Sequence, residues 1–170
     1  LIVLEARPDI EQMAVPYPNY LDYKAENTTF RSLGAMGVHA MTMTGRGNPE
    51  GALVEMYSHD MLPTFGVEPM LGRNFLPEED APNGARVVIL QHGFWTQRFD
   101  ADPSIVGQTL TLDGSPWTVI GVTPPEFKAM FPSHLLIPLG ARAGEELFRD
   151  RAARPEIYLI GRTKPGVSEA

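Results

Sequence analysis

Apolar positions along the chain fall into short runs separated by turn residues. Leu1-Ile2-Val3-Leu4 is unbroken and predicts a buried strand. Pro16-Tyr17-Pro18 opens a helix, with Pro18 near its first position, that continues through Tyr20, Leu21 and Lys24 to about Glu26. Asn27-Thr28-Thr29 interrupts it, and Thr29 is placed to cap a second short turn that carries Phe30 and Leu33 and ends at Gly34. Residues 36–44 and 52–57 predict two strands, joined as a hairpin by the turn-rich stretch Gly45 to Gly51. Ser58 stands ahead of Met61, Leu62 and Phe65 as an N-cap before one apolar helical face, with Gly66 as the stop.

In the second half, Val67 to Arg73 is extended, and Pro69 keeps it off a central strand position. Phe75 to Asp80 is an acidic turn. Val87-Val88-Ile89-Leu90 is the clearest buried strand, followed by a helix from His92 to Phe99 with Trp95 and Phe99 one turn apart on one face. Thr109 to Leu112, then Asp113-Gly114, then Trp117 to Ile120 predicts a hairpin, because Asp-Gly accepts the positive φ angles of a type I′ turn. Leu135 to Leu139 predicts a strand, Ala141 to Phe148 a helix and Ile157 to Arg162 the last strand, before a Pro165-Gly166 turn and a helix cap at Ser168. This alternation is an α+β pattern, not a regular doubly wound series.

With 170 residues the chain suits one domain or two small subdomains sharing a core, and it is long enough to fold without a metal or disulfide. Lys plus Arg is 14 against 21 for Asp plus Glu, and no basic stripe exists to neutralise phosphates, so nucleic acid is not an expected partner. The absence of cysteine removes thiol catalysis and thiolate metal sites. No apolar run approaches the ~20 residues of a membrane-spanning helix. The first residue is not Met, and Ser168-Glu169-Ala170 reads as the start of a helix, so the sequence is expected to be a segment of a longer protein.

Candidate chemistry is sparse. Ser58-His59-Asp60 contains the residue types of a hydrolase triad, but consecutive side chains diverge, and the expected role is an N-cap followed by two exposed polar residues. The stretch Gly45 to Gly51 misses the register of a phosphate loop and leads into a strand. The histidines His39, His59, His92 and His134 have no zinc-helix spacing; His39 is expected half-exposed on a strand and His92 capping or at the surface. Glu78-Glu79-Asp80 lacks the alternating ligands of a calcium loop and reads as a solvated acidic turn. Asn27-Thr28-Thr29 matches a glycosylation sequon with little weight. Most of the eight methionines suit core packing, although Met41 and Met43 on one strand face could form an adaptable apolar binding surface. No catalytic, cofactor-binding or metal-binding residue is assigned, and no cofactor is expected.

Four blocks, in order, carry a family resemblance. Tyr17 to Tyr23 is similar to a first helix; Tyr57 to Phe75 resembles a signature in which a short helix leads to Pro69, Gly72-Arg73 and Phe75 and then an acidic turn; Val87 to Val122 follows with Asp102-Pro103, Val106-Gly107 and the Asp113-Gly114 hairpin; and Leu159 to Gly166 ends in Lys164-Pro165-Gly166. Together they resemble the MacB-like periplasmic core domain of ABC-transporter permeases. Phe65 stands where Leu is usual, and Pro16 where a capping Ser is usual. The resemblance implies an extracytoplasmic domain between the first and second transmembrane helices of a bacterial permease, with a separate ATPase domain or subunit as partner. It implies no enzymatic activity. Such permeases transmit ATP-driven motion to a periplasmic substrate or adaptor, in efflux or another envelope process.

The implied architecture has two subdomains: residues 1–57 with 134–170, membrane-proximal and built from both chain ends, and an insert, 58–133, with the Asp-Gly hairpin. The terminal strands, Leu1–Leu4 and Ile157–Arg162, are expected in one sheet. Two other functions compete, a secreted or periplasmic binding protein for a small molecule or peptide and a hydrolase with an unassembled site.

Overall fold

A computed structural model of the chain describes residues 2–3, 5–7, 10–45, 47–152 and 157–167, with backbone alone before residue 14. In chain order the elements are β1 (Ile2–Val3), β2 (Glu5–Arg7), β3 (Ile10–Met13), α1 (Tyr17–Ala25), β4 (Phe30–Thr44), β5 (Glu50–Tyr57), α2 (Met61–Phe65), β6 (Leu71–Gly72), β7 (Val87–Leu90), α3 (His92–Phe99), β8 (Thr109–Leu112), β9 (Ser115–Val122), β10 (Leu135–Pro138), α4 (Glu146–Arg149) and β11 (Tyr158–Thr163). Short 3₁₀ turns occupy Pro103–Ile105 and Leu139–Arg142. The fold is α+β.

A nine-stranded mixed sheet runs in the order β1-β11-β4-β5-β10-β7-β9-β6. β8 pairs with both β9 and β4, through Leu110↔Trp117 and Met43↔Leu112. That double pairing closes β4, β5, β10, β7, β9 and β8 into a ring, a small barrel. Alternation along the strands sends Met43, Val54, Ile137, Val88, Val119 and Leu112 into one apolar cluster, which continues under α1 to Tyr17, Tyr20 and Leu159. The opposite face collects Met36, Tyr57, Ile89, Ile120 and Leu136 under α2. The core methionines Met36, Met43, Met56 and Met61 are all buried.

The terminal strands meet as expected. β1 pairs antiparallel with β11, Ile2 opposite Ile160 and Val3 opposite Leu159; Leu1, Leu4 and the helix start at 168–170 lie outside the described residues. The Asp-Gly hairpin forms with Asp113 at φ 46° and Gly114 at φ 71°.

Two expected helical pieces are replaced. No helical turn follows Thr29: β4 begins at Phe30 because β11 pairs with it from Thr163↔Phe30 to Tyr158↔Met36, and that ladder outweighs the local cap. The reversal before β4 belongs to Asn27, whose Oδ1 accepts from the Thr29 and Phe30 N–H groups at 3.1 and 2.7 Å. The helix expected over 141–148 is split into the 3₁₀ turn Leu139–Arg142 and α4, with Gly144 between them. β2 and β3 were not expected from the sequence, whereas β6 is the paired part of the extended stretch expected over 67–73 and lies at the end of the sheet order.

Candidate functional site

Ser58, His59 and Asp60 follow β5, and each is held by a different partner. The Ala35 N–H donates to Ser58 Oγ at 2.9 Å, and Ser58 N–H donates to the Ala35 carbonyl at 2.9 Å. Ser58 therefore stitches β5 to β4 and does not cap α2, whose N-cap is Asp60 without a side-chain hydrogen bond. His59 and Asp60 are not the exposed pair expected. His59 Nε2 lies 3.1 Å from Asp60 Oδ1, and Nδ1 lies 3.2 Å from Asp80 Oδ2. Asp60 also pairs with Lys24 of α1.

Hydrogen bonds to Asp60 and then Asp80 raise His59 from 6.5 to about 9, against the opposing effect of burial. Burial pushes Asp60 up, but the bonds from His59 and Lys24 outweigh it and hold the carboxyl at about 2. At neutral pH this is an imidazolium between two carboxylates. With Ser58 Oγ turned to Ala35 and His59 turned to the acids, no nucleophile–base pair is assembled here.

The acidic turn departs most from its expectation as a solvated loop. Glu79 is buried and accepts both bonds of the Arg73 guanidinium, at 2.7 and 2.8 Å, and the Leu76 N–H at 2.8 Å. Burial opposes its ionisation, but Arg73 keeps its carboxyl below the usual range. Asp80 Oδ1 accepts from Gly140 N–H at 2.7 Å and Oδ2 from His59 N–H at 2.9 Å. Asn74 Nδ2 donates to the His59 carbonyl at 3.0 Å, and Phe75 is buried. Gly72, at φ 72°, lies so close to β9 that a Cβ would stand 2.0 Å from the Ile120 oxygen. The signature from Gly72 to Asp80 is thus a clamp joining the segment ahead of α2, β9 and the 139–142 turn.

The other candidates are also structural. His134 Nδ1 accepts from Leu53 N–H at 3.1 Å. His92 packs edge-on against Trp95, and its N–H donates to Thr123 Oγ1, so the cap comes from the residue after β9. His39 is half-buried, and burial followed by the nearby Arg142 lowers its pKa. Glu50 pairs with Arg98 at 2.9 Å and begins β5. Among the described residues no group of three His, Asp or Glu is arranged to hold a metal ion.

Sequence reasoning missed Glu55, which is fully buried on β5. It accepts from Tyr57 OH, from Phe131 N–H at 2.7 Å and from Ser133 Oγ at 3.3 Å. Burial raises its pKa despite these bonds. The signal was a lone carboxylate inside the apolar run Ala52-Leu53-Val54-Glu55-Met56-Tyr57.

The fold and these clusters define an α+β domain whose polar groups hold chain segments together. Residues 4–170 match the model of the MacB-like periplasmic core domain, and the chain belongs to that family, which comprises periplasmic domains of ABC-type transporter permeases. The fold is similar to the periplasmic region of MacB from Actinobacillus actinomycetemcomitans, with 14% identity and a TM-score of 0.71 over 98% of this chain and 74% of that one. It is also similar to the extracellular domain of the ABC-type transporter YknZ from Gram-positive bacteria, with 15% identity and a TM-score of 0.63 over 84% of this chain and 71% of that one. No curated protein matches the sequence. Among the described residues no helix is long and apolar enough to cross a membrane.

Proposed function

We propose that this chain relays ATP-driven motion of membrane helices to a substrate or adaptor protein outside the cytoplasmic membrane, with a separate ATPase domain or subunit as the motor. The observation that carries the reading is the antiparallel pairing of β1 with β11. A domain inserted between two membrane spans must leave and re-enter on one side, and paired terminal strands meet that need. On this reading residues 1–57 and 134–170 form the membrane-proximal part, and residues 58–133 extend away from it. The barrel takes β4, β5 and β10 from the first part and β7, β8 and β9 from the second. A closed hydrogen-bonded ring of shared strands favours movement of the two parts together.

The location is tested in the full permease. In a full permease cleared of any cysteine outside this cysteine-free stretch, a single Thr118→Cys at an exposed position of β9 is a clean reporter. It should react with a membrane-impermeant maleimide in intact spheroplasts. Labelling only after lysis would place the domain on the cytoplasmic side and end the proposal.

A further inference from the structure

Residues 124–133, between β9 and β10, form no helix or strand. Thr123 N–H donates to the Leu90 carbonyl ahead of them, and His134 N–H to the Leu53 carbonyl after them, at 2.9 and 2.8 Å. Between these anchors Phe127 rests on the outer apolar cluster, 6.1 Å from the Phe65 ring, while Met130 and Phe131 are exposed. Phe131 N–H and Ser133 Oγ donate to Glu55, and Gln91 Nε2 donates to Ser133 Oγ at 3.1 Å. Among the described residues, every hydrogen bond from 124–133 to the rest of the molecule reaches Glu55 or Gln91. The segment is a strap between two anchors, and Glu55 is the main part of its clasp.

That clasp is a fully buried carboxyl among neutral groups. Opposite Glu55 on the paired strands stand Val38 of β4 and Leu136 of β10. His39, one residue on, alternates to the other strand face. α2, which packs on this side, carries no charged residue. Glu126 and Lys128 of the strap are exposed, and His134 Nδ1 accepts from the Leu53 N–H. Burial and the Glu55 charge push the Tyr57 hydroxyl up, so it stays protonated. The donors to Glu55 are therefore the Tyr57 hydroxyl, the Phe131 N–H and the Ser133 hydroxyl. Burial raises the Glu55 pKa, and these bonds, with the Met130 backbone, offset it only in part. The neutral acid keeps the same contacts: its O–H donates to the Tyr57 oxygen, while Oε1 still accepts from Phe131 and Ser133.

We propose that residues 124–133 are a proton-controlled strap, clasped while Glu55 is a neutral acid and loosened when it ionises. Lifting the strap gives the carboxylate water and uncovers Phe65 beneath Phe127. The lifted carboxyl titrates at its ordinary value and the clasped one higher, so protons favour the clasped form. The clasp is complete below the ordinary value of 4.5 and weakens as pH rises through the raised one. The strap does not depend on the transport reading, and either can fail alone.

The test is amide hydrogen exchange of the ¹⁵N-labelled chain across about pH 4.5 to 8, corrected for the intrinsic effect of pH on exchange. Ile89 of β7 reports opening of the whole fold, and Phe131 is read against it. Protection of the Phe131 amide relative to Ile89 should fall severalfold as pH rises through the range. Glu55→Gln can make the same three bonds without a charge. It should protect Phe131 more than the native chain does at pH 8 and remove the pH dependence. A glutamate acting only as a structural acceptor would give the reverse, with Phe131 less protected in the variant at every pH. The proposal is overturned if relative protection in the native chain is flat or rises with pH, or if Glu55→Gln protects Phe131 less than the native chain at pH 8. Should the variant not fold, the native pH series decides alone.

Discussion

Trp95 and His59 set two testable values at the scale of single residues. Trp95 is buried, and its Nε1 donates to the Asp102 carbonyl at 2.9 Å, so it both fills the barrel end and ties down the following loop. Trp95→Ala should cost about 3–5 kcal/mol in denaturant unfolding; a loss under about 1 kcal/mol would mean the site behaves as a surface position. His59 gives a pH signature. Its folded pKa is raised from 6.5 to about 9, so its contribution to stability is complete below 6.5 and is lost as pH rises through about 9. The Tm of the native chain should fall relative to His59→Gln between those pH values, and parallel Tm curves would contradict the assigned pairing. The Trp95 spacing was legible in the sequence because one helix supplies both aromatic residues. The partners of His59 were not, since Asp80 and Lys24 arrive from elements that only the tertiary fold brings near.

Elements read correctly where a local pattern and the tertiary partner agreed. Val87 to Leu90 is apolar at every position and buried on both faces, and Asp113-Gly114 has the turn chemistry its strands demand. Reading failed where partners decided, as at Phe30, drawn into β4 by β11, and at Glu79, taken out of solvent by Arg73. Closure of the barrel by β8 could not be read from any local pattern. Two substitutions probe these elements. Gly72→Ala places a Cβ against the Ile120 oxygen at a positive φ, and should cost at least about 2 kcal/mol in equilibrium unfolding. A change within about 0.5 kcal/mol would show that β6 and β9 separate freely. Glu55→Ala strips the acceptor from Phe131 N–H and Ser133 Oγ. It should destabilise by more than about 2 kcal/mol and speed amide exchange in the 130–133 segment first. Unchanged exchange there would show that Glu55 does not hold the segment.

Over the whole molecule, strands from both ends of the chain and from its middle share one hydrogen-bonded sheet, the Gly72–Asp80 clamp fastens the segment ahead of α2 to it, and Lys24 ties α1 to Asp60. A domain so cross-linked has few internal hinges. In the proposed account, a displacement applied at β1 and β11 is carried through β4 to the barrel without being absorbed. Hydrogen–deuterium exchange of the intact permease with its ATPase, compared between the ATP-bound and nucleotide-free states, tests this most directly. The account predicts that amides of β1, β11 and α1 change their protection between the two states, while the isolated chain shows no change on adding ATP. Identical exchange of those segments in both states of the intact permease would contradict it.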